Sequence, residues 1–336
     1  GSHAFGVFAL ASNIDMEGTT VGATVPDGLD QIWGWGVMVE GSTDPQLPSE
    51  ASLRHCLVED STGAGVAVYS GKATLEGVRV RDTQPEPSGQ FGRGLQAVAW
   101  GETPLRPELT VRGSVIETCY AQGILVTGTD LVVDRTVVQD VAAEPASEAW
   151  GPGIELAADL ESGRTDATIS ATLVQRVTGS GVRVFGADVE IGRSVVRDVA
   201  PRLLDGHLGE GIALYRSHQL NQPAVVEVRG TVVDQSHGAG MLAFDADVSV
   251  EGSVIRSTAP RAADESMGDA VATATLESTA HIRISSSQLV GAARAGLSNF
   301  GGAVELGDSL LECNPIDLHG EPWSDSPPIF DDLGGN

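Results

Sequence analysis

Residues 188–215, DVEIGRSVVRDVAPRLLDGHLGEGIALY, decide the fold. They hold an alternating strand, a Ser, a Val-Val pair, an Asp, a polar loop and a second short strand after Gly211. The first half of this pattern recurs as LTVRGSVIET from Leu109, LVVDRTVVQD from Leu131, ATISATLVQR from Ala167, VVEVRGTVVD from Val225, VSVEGSVIRS from Val248 and AVELGDSLLE from Ala303. Alignment on the residue before the apolar pair gives one column: Cys56, Val78, Ser114, Thr136, Thr172, Ser194, Thr231, Ser253, Ser287 and Ser309. The spacings are 22, 36, 22, 36, 22, 37, 22, 34 and 22 residues. Eight of the ten are Ser or Thr, so apolar residues alone do not force the alignment.

A repeat of this length is the signature of a solenoid. Each unit carries short Val/Ile/Leu strands with period-two alternation and no helical pattern. One unit cannot bury its own apolar face, whereas stacked units bury a continuous core and pair their strands in parallel. The reading is all-β, a single-domain parallel β-helix of about 10–11 coils, short ones near 22 residues alternating with long ones near 36. With these motifs the chain resembles the right-handed parallel β-helix proteins, the pectate-lyase-like superfold. The resemblance covers residues 8–318 and implies fold rather than activity, because the fold hosts many functions. The polygalacturonase-like pattern within it has Asn-Thr-Asp, Asp-Asp, His-Gly and Arg-Ile-Lys segments. Here Asn-Thr-Asp and Arg-Ile-Lys are absent, the His-Gly pairs are His237-Gly238 and His319-Gly320, and the Asp-Asp is Asp331-Asp332. None of that catalytic set carries over.

The boundaries follow from the repeat. Gly1-Ser2-His3 reads as a tag-cleavage scar. Residues 4–50 read as one N-terminal coil with a long loop, 51–318 as the repeats, and 319–336, rich in Pro, Gly and Asp, as a cap or tail. Long coils carry two insertions. One follows the Val-Val strand: TQPEPSGQFGRG, VAAEPASEAWGPG, VAPRLLDGHLGEG, TAPRAADESMGDA. The other follows the Gly-Ile strand: WGETPLRPE, AADLESGRT, YRSHQLNQP, TLESTA. Insertions at equivalent positions stack on one side of a solenoid. They predict two walls with the Gly-Ile strand as the floor between them.

Lys72 is the single lysine, and 46 acids against 20 bases give a net charge of −26. Phosphate backbones and anionic membranes are repelled, so nucleic acid and membrane insertion are not expected. The charge reads either as a solvated surface or as Ca²⁺ held by loop carboxylates, although no spaced Asp-x-Asp-x-Asp loop occurs. Asp82, Asp140 and Asp198 close three long-coil strands, as turn caps or as a calcium ladder. The odd cysteine count, Cys56, Cys119 and Cys313, points to buried free thiols rather than to a disulfide or a zinc site.

Aromatic residues gather in or beside the insertions: Trp33, Trp35, Phe91, Trp100, Trp150 and Tyr215. Exposed aromatic faces suit sugar rings, since they offer apolar area with little entropy to lose. These six, with Glu155, are the candidate substrate-binding residues; otherwise each ring packs its own loop onto the solenoid. The candidate catalytic cluster lies in the central long coil. Asp205, His207 and Glu210 are expected on one wall, and Arg216 and His218 on the other. Paired carboxylates can hydrolyse glycosides, and a cation with an Arg or His base can eliminate next to a uronate. The bland alternative is a solvated polar loop. The expectation is an extracellular, secreted or cell-surface binding or scaffold protein that contacts polysaccharide or a cell-surface glycan. A polysaccharide lyase or glycoside hydrolase is the alternative, and a structural stalk or adhesin module a third.

Overall fold

The computed structural model describes residues 2–28, 33–43, 46–99, 105–149 and 151–336. It is all-β, with no helix among the described residues. Two compact units, residues 1–168 and 169–336, each contain coils of the same three parallel sheets, and the fold is a parallel β-helix. A short antiparallel pair, Ser42–Thr43 with Gln46–Leu47, is the exception in the first unit.

In the first unit the floor sheet consists of Phe5–Leu10, Trp35–Glu40, Ala64–Tyr69, Arg93–Val98, Ile124–Thr127 and Ile154–Ala157. In the second it consists of Ser180–Phe185, Glu210–Tyr215, Ala239–Phe244, Asp269–Ala274, Ala295–Phe300 and Ile316–Glu321. In the floor sheet register is uninterrupted within a unit: Val66 pairs with Val37 and Leu95, and Ile212 pairs with Val182 and Met241. Inward Leu, Ile and Val side chains are fully buried, among them Leu53, Leu75, Ile116, Ile154, Ile191 and Ile212. The glycine that opens the Gly-Ile strand is a close-packing requirement. A Cβ on Gly65 would overlap the Val80 side chain, and one on Gly211 the Val233 side chain.

The Ser/Thr column sits at the two-residue corner between the second and third sheets, and it works as a hydrogen-bonded ladder. In the second unit Thr172 N donates to Ser194 Oγ (3.2 Å), Ser194 N to Thr231 Oγ1 (3.4 Å), Thr231 N to Ser253 Oγ (3.1 Å), Ser253 N to Ser287 Oγ (3.1 Å) and Ser287 N to Ser309 Oγ (3.2 Å). Asn336 Oδ1 supplies the last rung to Ser309 N at 3.1 Å. Each hydroxyl in turn donates to the carbonyl two residues before it, as Ser194 does to Gly192 and Ser253 to Glu251. In the first unit Val78 N donates to Ser114 Oγ at 3.1 Å. The residue before each ladder position has positive φ, including non-glycines such as Arg135 (48°), Ala171 (48°) and Arg193 (51°).

Three features differ from the sequence reading. The stretch before residue 50 forms one complete coil, with strands Phe5–Leu10, Asn13–Glu17 and Thr20–Thr24, and then the next floor strand Trp35–Glu40. Residues 316–336 carry two further paired strands, Ile316–Glu321 and Ile329–Gly334. Cys56 and Cys119 are buried free thiols as expected, but Cys313 is exposed, because it lies past the last fully covered core strand. Burial pushes the Cys119 thiol up to about 12.

The ladder yields a prediction. Ser253→Ala leaves the buried N–H of Thr231 without an acceptor and should cost about 1–3 kcal/mol. Ser253→Thr should recover most of it. Urea unfolding of the three proteins reads the difference.

Candidate functional site

The insertions form walls, and their loops stack directly. Ala146 N donates to Gly89 O at 3.0 Å in the first unit, and Ala263 N to Gly206 O at 3.2 Å in the second. Among the described residues, three first-wall loops and the N-terminal loop return to the floor through an apolar residue and a glycine that both have positive φ: Phe91-Gly92, Leu208-Gly209 and Met267-Gly268, and Trp33-Gly34. The apolar member roofs the floor. Met267 packs on Ala239, Leu242 and Ala272. The outward floor residues Arg183, Ala213, Leu242, Ala272 and Ser298 are accordingly buried. In the second unit the walls therefore close over the floor, where the sequence suggested an open channel.

That closure reshapes the central cluster. Glu210 is the first residue of the floor strand Glu210–Tyr215, not a wall residue, and it is fully buried. The loop reaches the floor one residue sooner than expected, through the Leu208-Gly209 turn. Ser180 Oγ donates to Glu210 Oε2 at 3.4 Å, while Oε1 has no hydrogen-bond partner among the described residues. Burial pushes Glu210 up to about 7 against the opposing pull of Arg261 and Arg183. Asp205 is exposed and tied to Arg202, whose guanidinium and the His207 N–H together hold its carboxyl at about 2. On the other wall Arg216 donates to Asn221 Oδ1 (2.8 Å) and O (2.6 Å) and reaches Ser278 Oγ (2.7 Å) on the next long coil. His218 is exposed. The five candidates are thus split: Asp205 and Arg216 hold loops, His207 and His218 lie on the walls, and Glu210 is sealed beneath them.

The fixed charge follows a pattern invisible at the level of motifs. Glu210 feels the charges of the wall residues Arg202 and Arg261 and of the floor residue Arg183. The first unit repeats this with signs reversed: Arg93, the first residue of its floor strand, sits between the wall residues Glu86 and Glu144. Burial lowers the Arg93 guanidinium, and Tyr69, Glu155, Glu144 and Glu86 pull it back up. Arg93 also donates to Gln122 Oε1 (2.8 Å) and Gln96 Oε1 (2.7 Å). Glu86 accepts from Trp33 N at 3.1 Å, and Glu144 from Phe91 N at 2.9 Å, so each acid fixes the roofing aromatic of a neighbouring loop.

The aromatic candidates fall in two places. Tyr215 stacks between Phe185 (5.1 Å, 18°) and Phe244 (5.8 Å, 12°) on the floor of the second unit, and burial raises its hydroxyl well above the ordinary tyrosine value. Trp33, Trp35 and Phe91 line an open cleft of about 560 Å³ in the first unit, together with Phe5, Phe8, Met38, Glu40, Tyr69 and Glu86. Trp35 stacks on Tyr69 at 5.4 Å and 10°. Phe5 stacks on Phe8 (5.0 Å, 22°) and Trp33 (5.6 Å, 26°). Trp33 is 40% exposed. Sequence reading missed Phe5, Phe8, Tyr69, Glu40 and Glu86. Tyr69 lies on a short coil, but its alignment with Tyr215 at the last position of the floor strand could have found it. Glu155 is an outward floor residue bonded to Gln122 at 3.4 Å. Trp100 and Trp150 lie outside the described residues.

Asp82, Asp140 and Asp198 share a positive-φ position, with φ of 56°, 56° and 54°; Asp82 follows the strand Arg79–Arg81, while Asp140 and Asp198 lie within Val137–Ala142 and Val195–Ala200. Asp tolerates that conformation. Thr118 stands between Asp82 and Asp140 in register, and Arg81 and Arg197 lie beside Asp82 and Asp198. Among the described residues no group of three His, Cys, Asp or Glu could hold a metal ion.

Glu210 makes stability depend on pH. Its folded-state value lies above the unfolded value, so the folded protein binds the proton more tightly. Stability should be fully present below about 4.5 and fall as pH rises toward about 7. Glu210→Gln should flatten that slope in thermal melts taken between those limits.

No family model matches the sequence. No curated protein matches it. Solved structures do. The periplasmic alginate epimerase AlgG aligns over 89% of this chain and 70% of its own, at 10% identity and a TM-score of 0.59. The catalytic unit of the GH87 alpha-1,3-glucanase from Streptomyces thermodiastaticus strain HF3-3 aligns over 90% of this chain and 59% of its own, at 11% identity and a TM-score of 0.53. At these identities the likeness is one of fold: the chain is a parallel β-helix.

Proposed function

We propose that the protein is an extracellular β-helix that binds polysaccharide through the aromatic cleft of its first unit. The observation that carries this reading is the set of five stacked or edge-packed rings, Phe5, Phe8, Trp33, Trp35 and Tyr69, lining an open cleft. Rings held in place by one another lose little entropy when a sugar face docks on them. The solved structures of similar fold include a periplasmic alginate epimerase and an alpha-1,3-glucanase, which supports a polysaccharide as the class of ligand. No helix of the described residues is long and apolar enough to cross a membrane.

An enzyme is the second reading. Glu210, raised to about 7 beside Arg183 and Arg261, is the observation that favours it, because a carboxyl poised near neutrality suits general acid-base work. Against it, Glu210 has no exposed surface, and Asp205 and Arg216 are spent on holding loops.

A polysaccharide panel separates the two. Affinity electrophoresis should show retardation, weakened about tenfold or more by Trp33→Ala, a change of about 1.4 kcal/mol or more. New reducing or unsaturated ends that vanish in Glu210→Gln would establish the enzyme instead.

A further inference from the structure

The lining of the cleft says what kind of sugar fits it. Its rings form two walls. Phe8, Phe5 and Trp33 are near-parallel, as are Trp35 and Tyr69, and the sets meet at 64–66°. The charged groups of the lining are two carboxyls, Glu40 and Glu86, with no Lys or Arg. Neither carboxyl forms a salt bridge among the described residues, and Glu86 is 7% exposed. Burial raises both above the ordinary carboxylate value. Arg93, the cation that acts on Glu86, lies over the Phe91 ring at 4.6 Å and is held by Gln96 and Gln122.

Resting on the carbohydrate reading, we infer that this cleft takes an amino-sugar polymer, with a protonated amine in the aromatic corner beside Glu40 and Glu86. Aromatic faces attract a cation, and desolvation strengthens the attraction. Glu40 has no salt-bridge partner among the described residues, and Glu86 shares Arg93 with Glu144 and Glu155, so a ligand ammonium would supply a cation that the two carboxyls otherwise lack between them. A uronate would bring a like charge to both carboxyls. A neutral glucan would stack on the rings but leave the carboxyls uncompensated.

The test titrates the whole chain by tryptophan fluorescence and calorimetry with four oligosaccharides of equal length: glucosamine, N-acetylglucosamine, glucose and a uronate. The glucosamine oligomer should bind at least tenfold more tightly than the other three at a pH where its amines are protonated. Its affinity should fall steeply with added salt. The Glu40→Gln/Glu86→Gln double variant should reduce its advantage over the glucose oligomer to below about twofold. Should that variant fail to fold, the salt dependence of the wild-type protein still decides. Equal binding of the N-acetylated or glucose oligomer, or tightest binding of the uronate, would overturn the amino-sugar inference while leaving the glycan reading intact. Displacement of the glucosamine oligomer by an equal charge of spermidine would overturn it too, as charge alone. Failure of all four oligomers to bind would remove both.

Discussion

A chain that winds back on itself every 22 to 37 residues must turn a tight corner in every coil without stranding backbone donors. The rest of this structure depends on that corner. One residue adopts a left-handed conformation, and the next points a hydroxyl inward. That hydroxyl accepts the amide of the coil before and donates to its own coil's carbonyl. A buried amide without a partner is expensive, so the corner constrains sequence more tightly than the core does. Core positions accept Ala, Val, Ile or Leu, as the column Ala51, Ala73, Leu109, Leu131 shows. Corner positions are nearly all Ser or Thr.

Corners and strands fix the coil, and this leaves the long insertions free to differ. They share a route rather than a sequence. The described first-wall loops follow a positive-φ residue of the third-sheet segment, stack in pairs, and return through an apolar residue and a glycine. What varies is what the route carries. In the first unit it carries acids that pin the roofing aromatics and leave a ring-lined cleft open. In the second it carries arginines, and the roof closes over the buried Glu210. The outward floor residues are buried in both units, as Ala67 and Gln96 show in the first, and the first unit in addition keeps a ring-lined cleft open.

The division between what the sequence disclosed and what it withheld follows the same line. The strands, the ladder and the stacking of insertions were legible because each rests on a period. The Ser/Thr column was visible as soon as ten segments were aligned. The site was only half legible. Trp33, Trp35 and Phe91 stood out by residue type, but Tyr69 and Phe5 join them only through register between coils. Glu210 was expected on a wall because nothing in a string of residues marks where a loop regains the floor. Here that place is set by two consecutive positive-φ residues, Leu208 and Gly209. The Asp82, Asp140 and Asp198 column shares one backbone conformation, with positive φ at each residue.

The reversed charge clusters bear on how such a chain can change. Arg93 is held between acids and Glu210 between arginines, so a wall loop and the floor strand it covers form a matched set. A repeat array is usually pictured as a row of interchangeable modules. Moving an acid-bearing loop over Glu210 would place a second carboxyl beside it, and moving an arginine-bearing loop over Arg93 would place a second cation there. A long coil carries its own loop and floor strand, but the second wall residue comes from the next long coil, so copying one long coil alone changes the charge balance around its floor residue. That favours two successive long coils, rather than one, as the unit to copy, shuffle or graft.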